Sequence, residues 1–383
     1  MKKRLIWLIV FLLCIPVICR AELDPVLQEQ YQAGGGQSID DYYESSLANS
    51  LEEIAPDFSP QKALEALVTD NVDFTPSGIL NWLGTLLWGE LKQNAASFGF
   101  LLLLVVLCGA VGQLDSLTTE GAVGAAGFVC AAAMCAVVTG MFDVSVRQSR
   151  EAIGSMSEFV TVLAPVMAAF LAGAGQVTGA SLLHPVLYGA ASFSVNAADR
   201  WLVPIIYGCF LLCIANALSE DGKLDGLVLL LKNGMKWILG AMLTIFSGLS
   251  AIYAVTGQNV DVMVSRTARF AVGNFVPVVG GMLTESVELV LSFSSVLRKG
   301  VGISGIIILL LLFARVAVSL TIQLWMFRVG AAFALPLGSP ALSKLLSDVA
   351  ACIGMMLAVL CVCAVLFCMI LIMMISAGGG GVI

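Results

Sequence analysis

The chain has 383 residues, of which 59% are hydrophobic and only 12% charged, with a mean hydropathy of +0.97. Soluble domains sit near 25% charged, so this composition excludes an ordinary water-soluble globule and predicts an all-α polytopic membrane protein. The formal net charge of −7 is concentrated at the front of the chain, which excludes the basic footprint that nucleic-acid binding needs.

Residues 1–21 carry Lys2, Lys3, Arg4 and Arg20 and no acid, with an apolar run Leu5–Cys19 between them. This is the pattern of a secretory signal peptide, with cleavage expected after Ala21 and an uncleaved anchor as the alternative. Ile18 is too large for the lipoprotein cleavage that Cys19 would otherwise suggest.

Residues 22–94 hold 13 acids against Lys62 and Lys92, and following the signal they are expected outside the cytoplasm. Gly34-Gly35-Gly36 reads as a flexible joint. Asp40 and Asp41 form a plausible N-cap pair before Tyr43, Leu47, Leu51 and Ile54, which recur at helical spacing. Ser59-Pro60 and Thr75-Pro76 mark two further helix starts. The second of these carries Ile79, Leu80, Leu83, Leu86, Leu87 and Leu91 with Trp82 and Trp88, the composition of a helix lying at the headgroup level.

Residues 95–383 are expected to form the multispan membrane domain. Six firm spans are predicted at Ser97–Leu114, Ala122–Phe142, Trp201–Ser219, Trp237–Thr256, Val301–Trp325 and Val349–Ser376. A polar stretch, Asp143–Glu158, separates the second span from Phe159–Val195, which Pro165, Gly173, Gly175, Gly179 and His184-Pro185 punctuate. This reads as a membrane hairpin. Lys223–Lys236 reads as a short interfacial helix. A second broken element is expected at Arg269–Leu283, where Gly273, Pro277, Gly280 and Gly281 interrupt an apolar run. Non-helical backbone at membrane depth survives only where protein or a water-filled cavity covers it. The order hairpin, span, charged loop, span recurs in 156–256 and 268–376, which suggests an internal repeat of the kind transporters use. Alternating the spans from an external front segment places seven basic residues outside and five inside, so no positive-inside bias supports the orientation.

No catalytic constellation is present. The chain lacks G-x-x-x-x-G-K-[ST], so it has no Walker-type nucleotide site. The single histidine, His184, has no acid beside it in sequence and reads as a packing residue. Nine cysteines lie in apolar spans. Cys209-x-x-x-Cys213 and Cys361-x-Cys363 could ligate a soft metal, but free cysteine is more simply a small buried hydrophobe, so no metal or cofactor is expected. Arg315 stands mid-span between I-I-I-L-L-L-L-F-A and V-A-V-S-L. A cation there costs roughly 2.5–3.5 kcal/mol even on the lenient insertion scale, so it should face protein or water. Glu285 and Glu288 are its expected partners in a set of buried charges. The candidate re-entrant or pore-shaping positions are Gly273, Asn274, Pro277, Gly280 and Gly281, with Pro165, Gly173, His184 and Pro185 in the first hairpin. Asn274 is the polar group best placed to bind backbone freed by the breaks.

Two stretches carry a family resemblance. R-T-A-R-F-A-V-G-N-F-V-P-V-V-G-G (Arg266–Gly281) resembles the signature of the stage III sporulation protein AE family. G-S-M-S-E-F-V-T-V-L-A-P-V (Gly154–Val166), followed by His184-Pro185, is similar to that family's other marked segment. The resemblance covers essentially the whole chain, with the front segment least family-like. It implies a multi-pass subunit of the mother-cell membrane around the forespore. Such a subunit acts with other membrane proteins of the same sporulation operon and a forespore-side partner, in a transenvelope channel that supports late forespore gene expression. The alternative is a small-molecule permease binding substrate in the broken hairpins. An intramembrane enzyme would need paired catalytic residues that the sequence does not offer.

Overall fold

The computed structural model describes residues 31, 35–47, 76–115, 122–173, 188–189, 191–218, 224–248, 280–337 and 339–376. The described residues are almost entirely helical. A short helix α1 (Gly36–Tyr42) continues into a π turn, Tyr43–Leu47. Six long helices follow, each long and apolar enough to cross a membrane: α2 (Pro76–Asp115), α3 (Ala122–Gly173), α4 (Ala191–Ala217), α5 (Asp225–Gly248), α6 (Gly280–Ala334) and α7 (Pro340–Ser376). They correspond in order to the six spans expected from the sequence, and the protein is an all-α polytopic membrane protein. A π turn over Ala198–Leu202 interrupts α4.

The helices are longer than the spans because segments expected as separate elements are continuous. The helix expected at the headgroup level and the span after it are one helix, α2, which also runs through residue 94. Lys232 and Lys236 lie within α5 and not on a separate interfacial helix. The polar stretch Asp143–Glu158 is the middle of α3, and the first arm of the expected hairpin is that helix's last turns, running through Pro165 to Gly173. The reason is visible along α3. Phe142, Val146, Ser149, Ile153, Met156, Val160, Leu163 and Met167 are all buried, a stripe at i, i+3, i+4, i+7 spacing that crosses the polar segment without a break. Asp143, Arg147, Arg150, Glu151 and Glu158 occupy the other faces. An unbroken helix satisfies its own backbone groups, which a break would expose. Residues 174–187 and 249–279, where the two hairpin turns were expected, lie outside the described residues.

Contacts between helices fix their directions. Between α3 and α6, Ser145 meets Gln323, Gln148 meets Ser319, and Leu163 meets Gly305, so the two run antiparallel. Between α6 and α7, Gly302 meets Ile375, Leu324 meets Gly354 and Gly330 meets Leu346, again antiparallel. Leu101 of α2 meets Gly330, and Gly109 meets Leu337 just beyond α6, so α2 runs parallel to α6. Phe142 stacks on Phe210 at 4.0 Å and Arg150 meets Asp199, so α4 runs antiparallel to α3. Lys344 and Asp348 of α7 reach Asp225 and Lys232 of α5, which sets α5 parallel to α7. The result is an up–down bundle with α2, α4 and α6 pointing one way and α3, α5 and α7 the other.

The most extensive packing is between α6 and α7, and glycines make it close. A Cβ on Gly302 would fall inside the Ile375 side chain and one on Gly354 would sit 3.3 Å from Leu324 Cδ1, while toward α3 a Cβ on Gly305 would sit 2.8 Å from Leu163 Cδ2. Small residues let helix backbones approach in this way where lipid gives no hydrophobic drive for association. At the α4–α5 connection, Asn216 donates to Asp225 Oδ1 at 2.7 Å and accepts from the Leu224 backbone N–H at 3.3 Å. Lys344 then donates to the other Asp225 oxygen at 2.7 Å, tying the start of α5 to α7.

The front segment is docked on this bundle. Tyr31 is buried and donates to Asp40 at 3.2 Å, and Tyr42 donates to Glu158 of α3 at 3.2 Å while its ring lies 6.3 Å from that of Phe159. Gly35 has φ +90°, a backbone that strains any residue with a Cβ, and it lies against Val166. Burial first, and the neighbouring carboxylate second, push both phenols above their ordinary value, so they stay neutral donors.

Candidate functional site

Polar side chains at helical spacing on three helices converge on one cleft. On α2, Glu90 and Gln93 are one turn apart. On α3, Gln148, Glu151 and Ser155 follow one face, and on α6, Arg315 and Ser319 do the same. Together with Ala152, Leu312 and Val316 they line a cavity of about 320 Å³, far more than one water needs. A second cavity of about 510 Å³ opens beside it, between Arg315 and Thr85, Leu86, Gly89, Glu90, Lys92 and Gln93. Arg315 lines both. Its side chain is half-buried and faces these clefts.

The neighbours differ from those expected. Glu285 and Glu288 stand on the first turns of the same unbroken helix. Glu288 precedes Arg315 by about 27 residues, which at 1.5 Å per residue is roughly 40 Å along the axis. They cannot be its partners within one chain, and Glu90 and Glu151 from two other helices take their place around the cleft. The buried cation on α6 is a different residue, Arg298, whose side chain is fully enclosed at the level where α6 meets the last turns of α3 and α7.

Gly280 and Gly281 open α6, Pro165 sits inside α3 on an exposed face, and Gly173 is the last residue of α3. Gly273, Asn274, Pro277, His184 and Pro185 lie outside the described residues. Among the described residues, Pro165, Gly173, Gly280 and Gly281 do not line the cleft. Beyond Arg315, the lining residues look like isolated polar groups in sequence; their signal is the i, i+3/i+4 recurrence of Glu90/Gln93, Gln148/Glu151/Ser155 and Arg315/Ser319.

The cleft belongs to a polar belt around the bundle. Because α2 parallels α6 and α3 opposes it, residues 82–97 of α2, 143–158 of α3 and 193–208 of α4 stand at the level of residues 310–325 of α6. At that level Tyr207 donates to Asp143 at 2.7 Å, Arg147 pairs with Asp143 at 3.2 Å, and Arg150 pairs with Asp199 at 2.7 Å. These pairs are largely exposed and contribute little to stability. Deeper in the bundle, Ser145 hydrogen-bonds Gln323 and Ser149 donates to the Ser145 carbonyl at 2.8 Å. The belt therefore runs from the surface into the core, with apolar helix on both sides of it.

Farther along, Cys209 and Cys213 of α4 meet Cys352 of α7. All three are buried, and their sulfurs lie within 4.8 Å of one another. No described histidine or carboxylate joins them in that cluster. Cys361 and Cys363 sit elsewhere on α7.

The stage III sporulation protein AE family model matches residues 58–378. The stage III sporulation protein AE of Bacillus subtilis (strain 168) is 27% identical over 321 residues, covering 84% of this chain and 80% of that protein. No solved structure matches the chain. The match takes in all six long helices and both lengths of sequence that carried the resemblance, and the chain belongs to the stage III sporulation protein AE family of multi-pass membrane proteins.

Proposed function

We propose that the protein is a non-enzymatic membrane subunit of a transenvelope channel or secretion complex linking mother cell and forespore, needed for late forespore gene expression and spore formation. It sits in the mother-cell membrane around the forespore and works with the other membrane proteins of its operon and a forespore-side partner. With residues 22–94 outside the cytoplasm, the alternating helices return the end of α7 to that same side, and α1 docks there on α3.

The observation that carries this reading is the cleft at the α2–α3–α6 junction. It offers a charged, open surface within an otherwise apolar bundle, and its lining groups are suited to hold water and position a neighbour. Glu90, Glu151 and Arg315 surround it without any nucleophile, base and orienting group in series. Affinity purification of the tagged full-length protein from sporulating cells tests the proposal. Recovery of the other operon-encoded membrane proteins is expected, and recovery of none would overturn it. Saturable solute uptake by the purified protein alone in liposomes would instead establish the permease reading.

A further inference from the structure

We propose that Cys209, Cys213 and Cys352 form a three-sulfur binding site for a soft, thiophilic cation, with monovalent copper as the ion that fits. Three thiols from two separate helices converge here. Cys209 and Cys213 are one turn apart on α4, so their side chains share a face, and Cys352 arrives from α7 with its sulfur 3.8 Å from that of Cys209. An ion held at the centre of three sulfurs by bonds of about 2.3 Å puts them roughly 4 Å apart, close to the separations seen. A water-filled polar site would not bury all its donors, whereas these three are 0%, 1% and 0% exposed.

The donor set selects the ion. Thiolates favour monovalent copper and zinc over harder cations. Zinc takes four ligands, and no fourth cysteine, histidine or carboxylate among the described residues completes this set. Monovalent copper is satisfied by two or three sulfurs. Each thiol that binds loses its S–H bond and gains an S–Cu bond, and its proton leaves to bulk water; the copper stays monovalent throughout. The bound cation meets part of the negative charge so created, and a polar ion pair, neutral overall, lies close by. Asp348 is one turn from Cys352 on α7, and its partner Lys232 is bound to it at 2.9 Å with both side chains largely buried. The ion would join α4 to α7 at the one place where the two helices present sulfur to each other.

The test uses the full-length protein in detergent, reduced and free of oxygen, titrated with monovalent copper against a chromophoric chelator, with zinc in a parallel arm. One equivalent of copper held with three sulfur neighbours by X-ray absorption is expected, with thermal unfolding shifted upward. Cys352→Ser and Cys209→Ser should each weaken binding by more than the roughly 10–100-fold that loss of an outer-shell group costs. The control Cys361→Ser/Cys363→Ser, outside the cluster, should bind as wild type. Copper retained equally by Cys352→Ser, or zinc held more tightly than copper, would overturn the assignment. So would a disulfide between Cys209 and Cys352 in the protein isolated from cells. If neither serine variant folds, Cys213→Ala gives the same comparison at a site where a small residue fits.

Discussion

Ser145 of α3 is hydrogen-bonded to Gln323 of α6 at a point where neither side chain meets solvent. The bond crosses the interface between two helices that run in opposite directions, and it joins the inner end of the polar belt to the core. A glutamine amide enclosed in apolar surroundings costs free energy unless it is paired, so the two residues hold each other in place.

Ser145→Ala leaves the Gln323 amide without this partner and should cost about 1–3 kcal/mol. Gln323→Leu alone should cost less, and the double variant Ser145→Ala/Gln323→Leu should recover most of the loss. Thermal unfolding of the detergent-solubilised protein measures all three. Additive losses in the double variant would show that the bond carries no coupling.

The glycine contacts give a second expectation. A Cβ on Gly302 would occupy the space of the Ile375 side chain, so Gly302→Ala should force α6 and α7 apart and cost about 1–3 kcal/mol. Ile375→Ala in the same chain should relieve much of that. Gly140 and Gly154, whose added Cβ atoms meet nothing nearby, should tolerate alanine. Protein level and unfolding temperature separate the two classes.

Docking of α1 on α3 should respond to alkali. A phenol whose ionisation is disfavoured in the docked state contributes stability below its unfolded value of about 10, and loses that contribution as pH rises above it. Proteolysis of the front segment should therefore be constant up to about pH 9 and increase beyond about pH 10. Tyr42→Phe keeps the ring against Phe159 but removes the hydrogen bond to Glu158, and should loosen docking by about 1 kcal/mol while blunting the alkaline response. Gly35→Ala should loosen it at every pH, by about 1–2 kcal/mol, because φ +90° is left-handed.

Replacing the cation at the cleft should impair spore formation. Arg315→Leu removes the cation that lines both cavities opposite Glu90, and Arg315→Lys retains the charge and should preserve more function. Single cysteines at Gln93, Glu151 and Ser155 in a chain otherwise free of exposed cysteine should react with water-soluble thiol reagents in intact cells. Cysteines at Leu163 and Val349, which are buried, should not. Unchanged sporulation at unchanged protein level in Arg315→Leu would remove the cleft from the mechanism.

The class of fold and the order of the six spans were legible because long apolar runs leave few alternatives to a membrane helix. Helix continuity was harder to see. Asp143, Arg147, Arg150 and Glu151 give α3 a polar middle, and composition alone treats that as a break. The buried stripe from Phe142 through Ser149 to Met156 is what carries the helix across it, and it emerges only when every third and fourth position is followed. Arg315 stood out because a cation in an apolar run is conspicuous. Its surroundings did not, since Glu90 and Glu151 lie far away in sequence and their nearness depends on the directions of three helices. The meeting of Cys352 with Cys209 and Cys213 is of the same kind. The pair on α4 is visible from its spacing, but the third sulfur comes from a helix more than a hundred residues later.

The length of α6 has a further consequence. Its 55 residues extend about 80 Å, and the 52 of α3 extend nearly as far alongside. A bilayer offers about 30 Å of hydrocarbon. Upright or modestly tilted, about half or more of each helix in this mast lies beyond the hydrocarbon, and the two brace each other where the Ser145–Gln323 and Leu163–Gly305 register pairs them, over residues 134–173 of α3 and 295–334 of α6. A neighbour gripping the free tip would then gain mechanical leverage on the embedded part, and the height of the polar belt on the mast decides where the waterline falls.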